Sequence, residues 1–192
     1  MTMQRKSVLE NVIAEKNNIL IQEIPFVGKL NIRGNAKDKE FLSNFGAVLE
    51  IVIPLDSNTK VQNKNFQIIW LSPNEWLINF FNHNIFNEIL NKLNNKLNPE
   101  NTSITDISEN KTIIRIDGNK VNQLLRKFMI LDIENVLQDN TKVAQTIFAK
   151  IPILIIRNHN NEAKHSYDIH VNRSHTTYLR DLLIDGCNQF IN

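Results

Sequence analysis

The chain has 192 residues, 42% hydrophobic and 22% charged, which excludes disorder and suffices for one domain with a true core or for two small interlocked halves. Lys plus Arg number 22 against 20 for Asp plus Glu, so there is no basic excess of the kind that nucleic acid or an anionic membrane requires. Cys187 is the only cysteine, which rules out an intrachain disulfide and a cysteine-based zinc site.

The first stretch, MTMQRKSVLENVIAEKNN, reads as an amphipathic start and lacks the apolar core of a signal peptide. KLNIRGN (29–35) reads as a strand ending in a glycine turn, followed by a helix with Phe41, Leu42 and Phe45 on one face. FQIIWL (66–71) and EWLINF (75–80) read as strands around a Ser72-Pro73-Asn74 turn, because proline presets φ and asparagine tolerates the bend. This hairpin carries both tryptophans, Trp70 and Trp76, and packing is the expected role of aromatics on paired strands. Ile85, Ile89, Leu90, Leu93 and Leu97 then recur at helical spacing.

The second half repeats the series. TIIRIDGN (112–119) is a strand ending in the same Gly-Asn pair, and Val121, Leu124, Leu125 and Phe128 follow at i, i+3, i+4 and i+7. VAQTIFAK and IPILIIR read as strands with Pro152 at the step between them. SYDIHV (166–171) alternates as a strand, and Leu179, Leu182, Leu183 and Phe190 define a closing helix with Ser174 as its expected cap. Gly34-Asn35 against Gly118-Asn119 anchors the internal match, the first half needing one extra residue after its glycine. The expectation is an α+β fold of two pseudo-repeated βαββα-like halves with mainly antiparallel sheets. The expected boundaries are an N-terminal segment 1–19, a first half 20–100 and a second half 101–192, forming one compact body. IPILII (151–156), the longest apolar run, is far below the roughly 18 residues of a membrane helix, so we expect a soluble, cytoplasmic protein.

The chain carries no GxGxxG or P-loop sequence. Its five histidines, His83, His159, His165, His170 and His175, lack ligand spacing, and His165 and His170 differ by an odd number, so surface histidines are expected. Ser174-His175 places a hydroxyl next to a base, yet adjacent residues rarely point together and no elbow motif surrounds them. Asp106, Glu109 and Asp117 are spread along TDISENKTIIRIDG and suit turns and strand ends better than an acid-base cluster. Cys187 falls in an apolar-periodic stretch and is expected to be a buried small side chain. Arg33, Arg115, Arg126 and Arg173 lie in separate segments; Arg173 could face a partner or cap its own fold. No residue is therefore assigned to catalysis, to a cofactor or to a metal.

The order of these segments resembles the gamma subunits of heterotetrameric sarcosine oxidases, a family itself similar to the folate-binding glycine-cleavage T-protein group. The resemblance is carried by Arg33-Gly34, by WLSPNEWLI where the family has Trp-Leu-Gly-Pro-Asp-Glu-Trp-Leu, by TDISENKTIIRIDG, LLRKFMILDI and AQTIFAKIPILIIR, and by VNRSHTTYLRDLL. Ser72 and Asn74 replace the usual Gly and Asp of the turn, and His175 stands where an aromatic residue is usual. The resemblance implies a T-protein-like fold and a structural role in oxidative demethylation of sarcosine to glycine, with oxygen reduced to hydrogen peroxide. It implies FAD, FMN, NAD and tetrahydrofolate in partner subunits and no cofactor in this chain, with alpha, beta and delta subunits as partners. Two rival expectations stand beside it: an independent folate-binding module gripping a pterin through Asp106 or Glu75, and a stand-alone enzyme using Asp106, Asp117 or His170.

Overall fold

The computed structural model describes residues 5–9, 13–161 and 164–190, with only the backbone path at Ile13, residues 159–161 and Lys164. The chain divides into two units, one of residues 1–26 with 109–192 and the other of residues 27–108. Both are mixed α and β, built on antiparallel sheets.

In the unit of residues 27–108, strand β3 (Gly28–Arg33) leads into helix α1 (Lys39–Leu49). Then come β4 (Lys60–Gln62), β5 (Phe66–Ser72), β6 (Glu75–Phe80), helix α2 (Phe86–Lys96) and β7 (Ser103–Asp106). The sheet order is β4-β5-β6-β3-β7. Helix α1 starts where Asp38 accepts from the backbone N–H of Glu40 and Phe41, satisfying donors that the first turn leaves open. Phe41 and Phe45 come from one face of α1, Ile89 and Leu93 from one face of α2, and both pairs bury against Leu30, Ile32, Ile68, Trp76 and Ile78 of the sheet.

The other unit forms a sheet in the order β1-β2-β8-β11-β10-β9. Its strands are β1 (Ile13–Lys16), β2 (Ile19–Ile24), β8 (Lys111–Gly118), β9 (Val143–Phe148), β10 (Ile151–Asn161) and β11 (Lys164–Asn172). Helices α3 (Val121–Arg126), α4 (Ile133–Val136) and α5 (Thr176–Asn188) supply Val121, Leu124, Leu125, Ile133, Leu179 and Leu183 to its core. The repeat is real in topology: β4-β5-β6-β3 and β9-β10-β11-β8 follow the same order, each with a helix after its first strand in sequence and another after its last.

The expected boundaries move. Residues 13–24 form a hairpin turning through Asn17 and Asn18, both at positive φ (51° and 61°), the geometry a two-residue turn between twisted strands needs, while part of the expected amphipathic start lies outside the described residues. Strand β2 pairs with β8, and Ile19 and Ile21 bury beside Ile114 and Ile116, so residues 19–24 join the later unit rather than the half expected at 20–100. Strand β7 pairs with β3 and stays in the earlier unit, so the division falls after Ser108 instead of at residue 100. The step between β9 and β10 is Ala149-Lys150, with Ala149 at φ 53°, and Pro152 lies inside β10 opposite Ile147. Helix α3 ends before Phe128, whose ring instead stacks on Phe148 at 4.9 Å. Ser174 does not cap α5: a 3-10 turn, Arg173–His175, precedes the helix, and no side chain caps either.

Both glycines of the paired Gly-Asn turns sit where another chain atom comes close. At Gly118, φ is 151° and an added Cβ would stand 2.2 Å from the Asn18 carbonyl oxygen; at Gly34 it would meet the Phe41 ring at 2.4 Å.

Candidate functional site

The β5–β6 hairpin sets Trp70 opposite Trp76, with a register shift between Trp70 and Ser72 before the turn. Trp76 is fully buried, its ring 5.6 Å from Phe41 and 5.8 Å from Phe45, and its indole N–H donates to the Pro54 carbonyl at 2.8 Å. Trp70 is half-buried against the same core. The tryptophans brace the hairpin and tie down the segment after α1.

Each polar residue singled out from the sequence is held by its own neighbours. Asp106 accepts from the backbone N–H and hydroxyl of Ser108 at 2.9 and 2.6 Å. Glu75 accepts from Asn31 at 2.7 Å and Arg33 at 3.0 Å. Glu109 pairs with Arg5 and, at 3.2 Å, with Arg173, which also donates to the Lys6 carbonyl at 2.9 Å. Arg173 thus serves its own fold, fastening the N-terminal stretch. Asp117 is half-buried on β8 opposite Leu20 and Ser166. Arg115 grips Asp168 through two bonds, 2.7 and 2.9 Å, and this raises the guanidinium further above its ordinary range. Arg126 reaches Glu134 at 2.8 Å, and the other oxygen of Glu134 accepts from Asn122, whose carbonyl takes the buried Tyr167 hydroxyl at 2.9 Å. Burial pushes the Tyr167 phenol up.

The histidines divide. His83 and His175 are exposed, His165 is half-buried with its ring beside Tyr167, and the His159 side chain lies outside the described residues. His170 departs from the expected surface position: it is fully buried, because β11 is an inner strand flanked by β8 and β10. Ser174 and His175 share one turn, both exposed. Among the described residues, no three His, Cys, Asp or Glu side chains are grouped to hold a metal. Cys187 is buried as expected, and burial raises its thiol pKa.

The sequence did not disclose two features. Glu23, 7% exposed, accepts from the backbone of Val8 and Leu9 and from the Thr112 hydroxyl, at 3.2, 2.8 and 2.7 Å. The second is a groove of about 480 Å³ between α1, at Leu42, Ser43, Gly46 and Ala47, and the irregular segment Ile51–Leu55. The signal for it lies in IVIPL itself, an apolar run with no periodic partner, whose Val52 and Leu55 stand 83% and 52% exposed. A polar groove of about 530 Å³ lies by the hairpin turn, at Arg33, Gly34, Asn35, Asn74 and residues 100–103. Neither Asp106 nor Glu75 lines either of these grooves, and both carboxylates accept bonds from their own neighbours.

The sequence pattern of the sarcosine oxidase, gamma subunit family matches residues 33–189. The chain belongs to that family. Among solved structures, a chain of the heterotetrameric sarcosine oxidase from Corynebacterium sp. U-96, in complex with pyrrole 2-carboxylate, superposes with a TM-score of 0.83 at 21% identity. The match covers 97% of this chain and 96% of that one. The glycine cleavage system aminomethyltransferase T from Bartonella henselae follows at 0.62 and 12% identity, over 88% of this chain but 46% of that enzyme. At these identities the likeness is one of fold, and it makes the α+β architecture T-protein-like. No curated protein matches the sequence. Among the described residues, no helix is long and apolar enough to cross a membrane.

Proposed function

We propose that this chain is the gamma subunit of a heterotetrameric, cytoplasmic sarcosine oxidase and has a structural, non-catalytic role there. The complex demethylates sarcosine oxidatively to glycine and reduces oxygen to hydrogen peroxide. FAD, FMN, NAD and tetrahydrofolate are held by partner subunits, with alpha, beta and delta chains as the partners. The observation that carries this reading is the family match over residues 33–189. It is supported by the local bonds of three candidate carboxylates: Asp106 to Ser108, Glu75 to Asn31 and Arg33, Glu109 to Arg5 and Arg173.

The test is co-expression with the genes of the large subunits, affinity purification on this chain, and a flavin absorbance spectrum. A yellow complex that oxidises sarcosine is expected, with the isolated chain colourless and without turnover. Asp106→Ala in the complex is expected to leave kcat unchanged. A chain recovered alone in the presence of soluble, flavin-bearing large subunits would overturn the reading. Saturable micromolar tetrahydrofolate binding by that lone chain would favour a folate module instead.

A further inference from the structure

We infer that the groove beside α1 docks a basic-flanked amphipathic helix of a large partner subunit; this rests on the gamma-subunit reading. Three features of the groove specify the occupant. Ser43, Gly46 and Ala47 fall at i, i+3 and i+4, so the middle of the α1 side is a strip of small side chains that lets a second helix axis approach, with Leu42 adding apolar surface beside it. The opposite wall offers Val52 and Leu55, held out toward solvent at 83% and 52% exposure. They are not mobile tips: the intervening Ile53 is 6% exposed, and the carbonyl of Pro54 takes the bond from buried Trp76. An apolar ridge with residues at helical spacing fits between these walls.

The electrostatics add the charge. Helix α1 ends at Glu50, a non-glycine residue in the left-handed region (φ 53°), with no basic residue in its last turn. A C-terminus with partial negative charge ordinarily attracts Lys or Arg and closes on Gly or Asn. Here it carries a carboxylate, and exposed Asp56 stands at the far end of the same segment. Among the described residues, neither Glu50 nor Asp56 forms a direct ion pair, although the Glu50 charge also acts on Lys92. The groove is therefore apolar between its walls, with the Glu50 carboxylate lining one end and Asp56 next in sequence to Leu55 at the other, which calls for an apolar ridge flanked by Lys or Arg.

The test uses the co-expressed complex and the paired substitution Val52→Asp with Leu55→Asp, plus Glu50→Lys alone. Retention of the large subunits is expected to fall at least tenfold for the pair and severalfold for Glu50→Lys, with unchanged circular dichroism and melting of the isolated chain. Tyr178→Asp, an exposed apolar site in the other unit, is expected to leave retention unchanged. A Val52→Cys variant carrying a photo-crosslinker, with Cys187 buried and unlabelled, is expected to mark a Lys- or Arg-containing helical peptide of a large subunit. Full retention by the paired variant, or a crosslink to a second copy of this chain or to an extended peptide, overturns the inference. Failure of the wild-type chain to retain any large subunit overturns the gamma-subunit reading and the groove with it, which distinguishes the two.

Discussion

Replacing Trp76 by Phe tests whether this tryptophan braces the fold in the way its contacts indicate. The substitution removes the indole N–H that donates to the Pro54 carbonyl at 2.8 Å. Pro54 is buried, so its oxygen loses its partner away from water, at about 1–3 kcal/mol. The smaller ring also leaves a void of roughly 40 Å³ beside Phe41 and Phe45, which at about 24 cal/mol per Å³ adds about 1 kcal/mol. Together these give a loss of about 2–4 kcal/mol, a large share of the roughly 5–15 kcal/mol that holds a domain folded. Trp70→Phe is the internal comparison: Trp70 is half-buried, and its replacement is expected to cost less than about 1 kcal/mol. Urea unfolding followed by far-UV circular dichroism reads both as shifts in midpoint at constant slope. Equal shifts for the two variants, or a silent Trp76→Phe, would refute the reasoning. Because Pro54 lies between Ile53 and Leu55, Trp76→Phe should also loosen the groove wall and weaken partner retention.

Gly118→Ala forces a side chain into a φ of 151° and against the Asn18 carbonyl, and is expected to destabilise by about 2–4 kcal/mol in the same urea assay. Asp168→Ala leaves Arg115 half-buried without its two-bond partner and should cost about 2–3 kcal/mol, more than Asp168→Asn, which keeps one acceptor. The Asp139 carboxyl is held below the usual carboxylate range, first by the Thr141 hydroxyl and then by the Thr141 N–H. With the folded pKa depressed, this stabilisation is complete above about pH 4 and is lost as pH falls through the folded value. Thr141→Ala should raise the Asp139 pKa in an NMR titration, since the hydroxyl donor is gone.

Periodicity disclosed the hairpins and helices wherever apolar spacing was regular, as with Ile89 and Leu93 on α2 or Leu124 and Leu125 on α3. It failed where a partner distant in sequence decided the outcome. Nothing local in ILIQEI says that Ile19 and Ile21 pack beside Ile114 and Ile116, so halves drawn from the repeated series of elements placed nearly all of β2 with the earlier one. The turn at Asn17-Asn18 was written in residues that tolerate positive φ, yet in a chain so rich in asparagine the signal did not stand out. His170 looked like a surface residue because its burial comes from strands on both sides of β11, a property of sheet order and not of sequence spacing.

The groove was hidden for a different reason. Chemistry draws on His, Asp, Glu and Arg, and here several of these residues are bonded to one another or to nearby backbone. Glu109 takes two arginines, Asp168 takes both arms of Arg115, and Glu23 takes two backbone donors and a hydroxyl. Val52 and Leu55 invert that arrangement: apolar side chains facing water on a segment whose neighbours Ile53 and Pro54 are buried and bonded. Holding such residues rigidly in water forfeits the gain that burial would bring, about 1.5–3 kcal/mol for a fully buried Leu or Val. A partner that covers them recovers it, and because the wall is already fixed through Trp76, little further ordering cost offsets the gain. Under the structural role proposed above, the exposed surface that matters is apolar and held in place, and the α1 groove has that character.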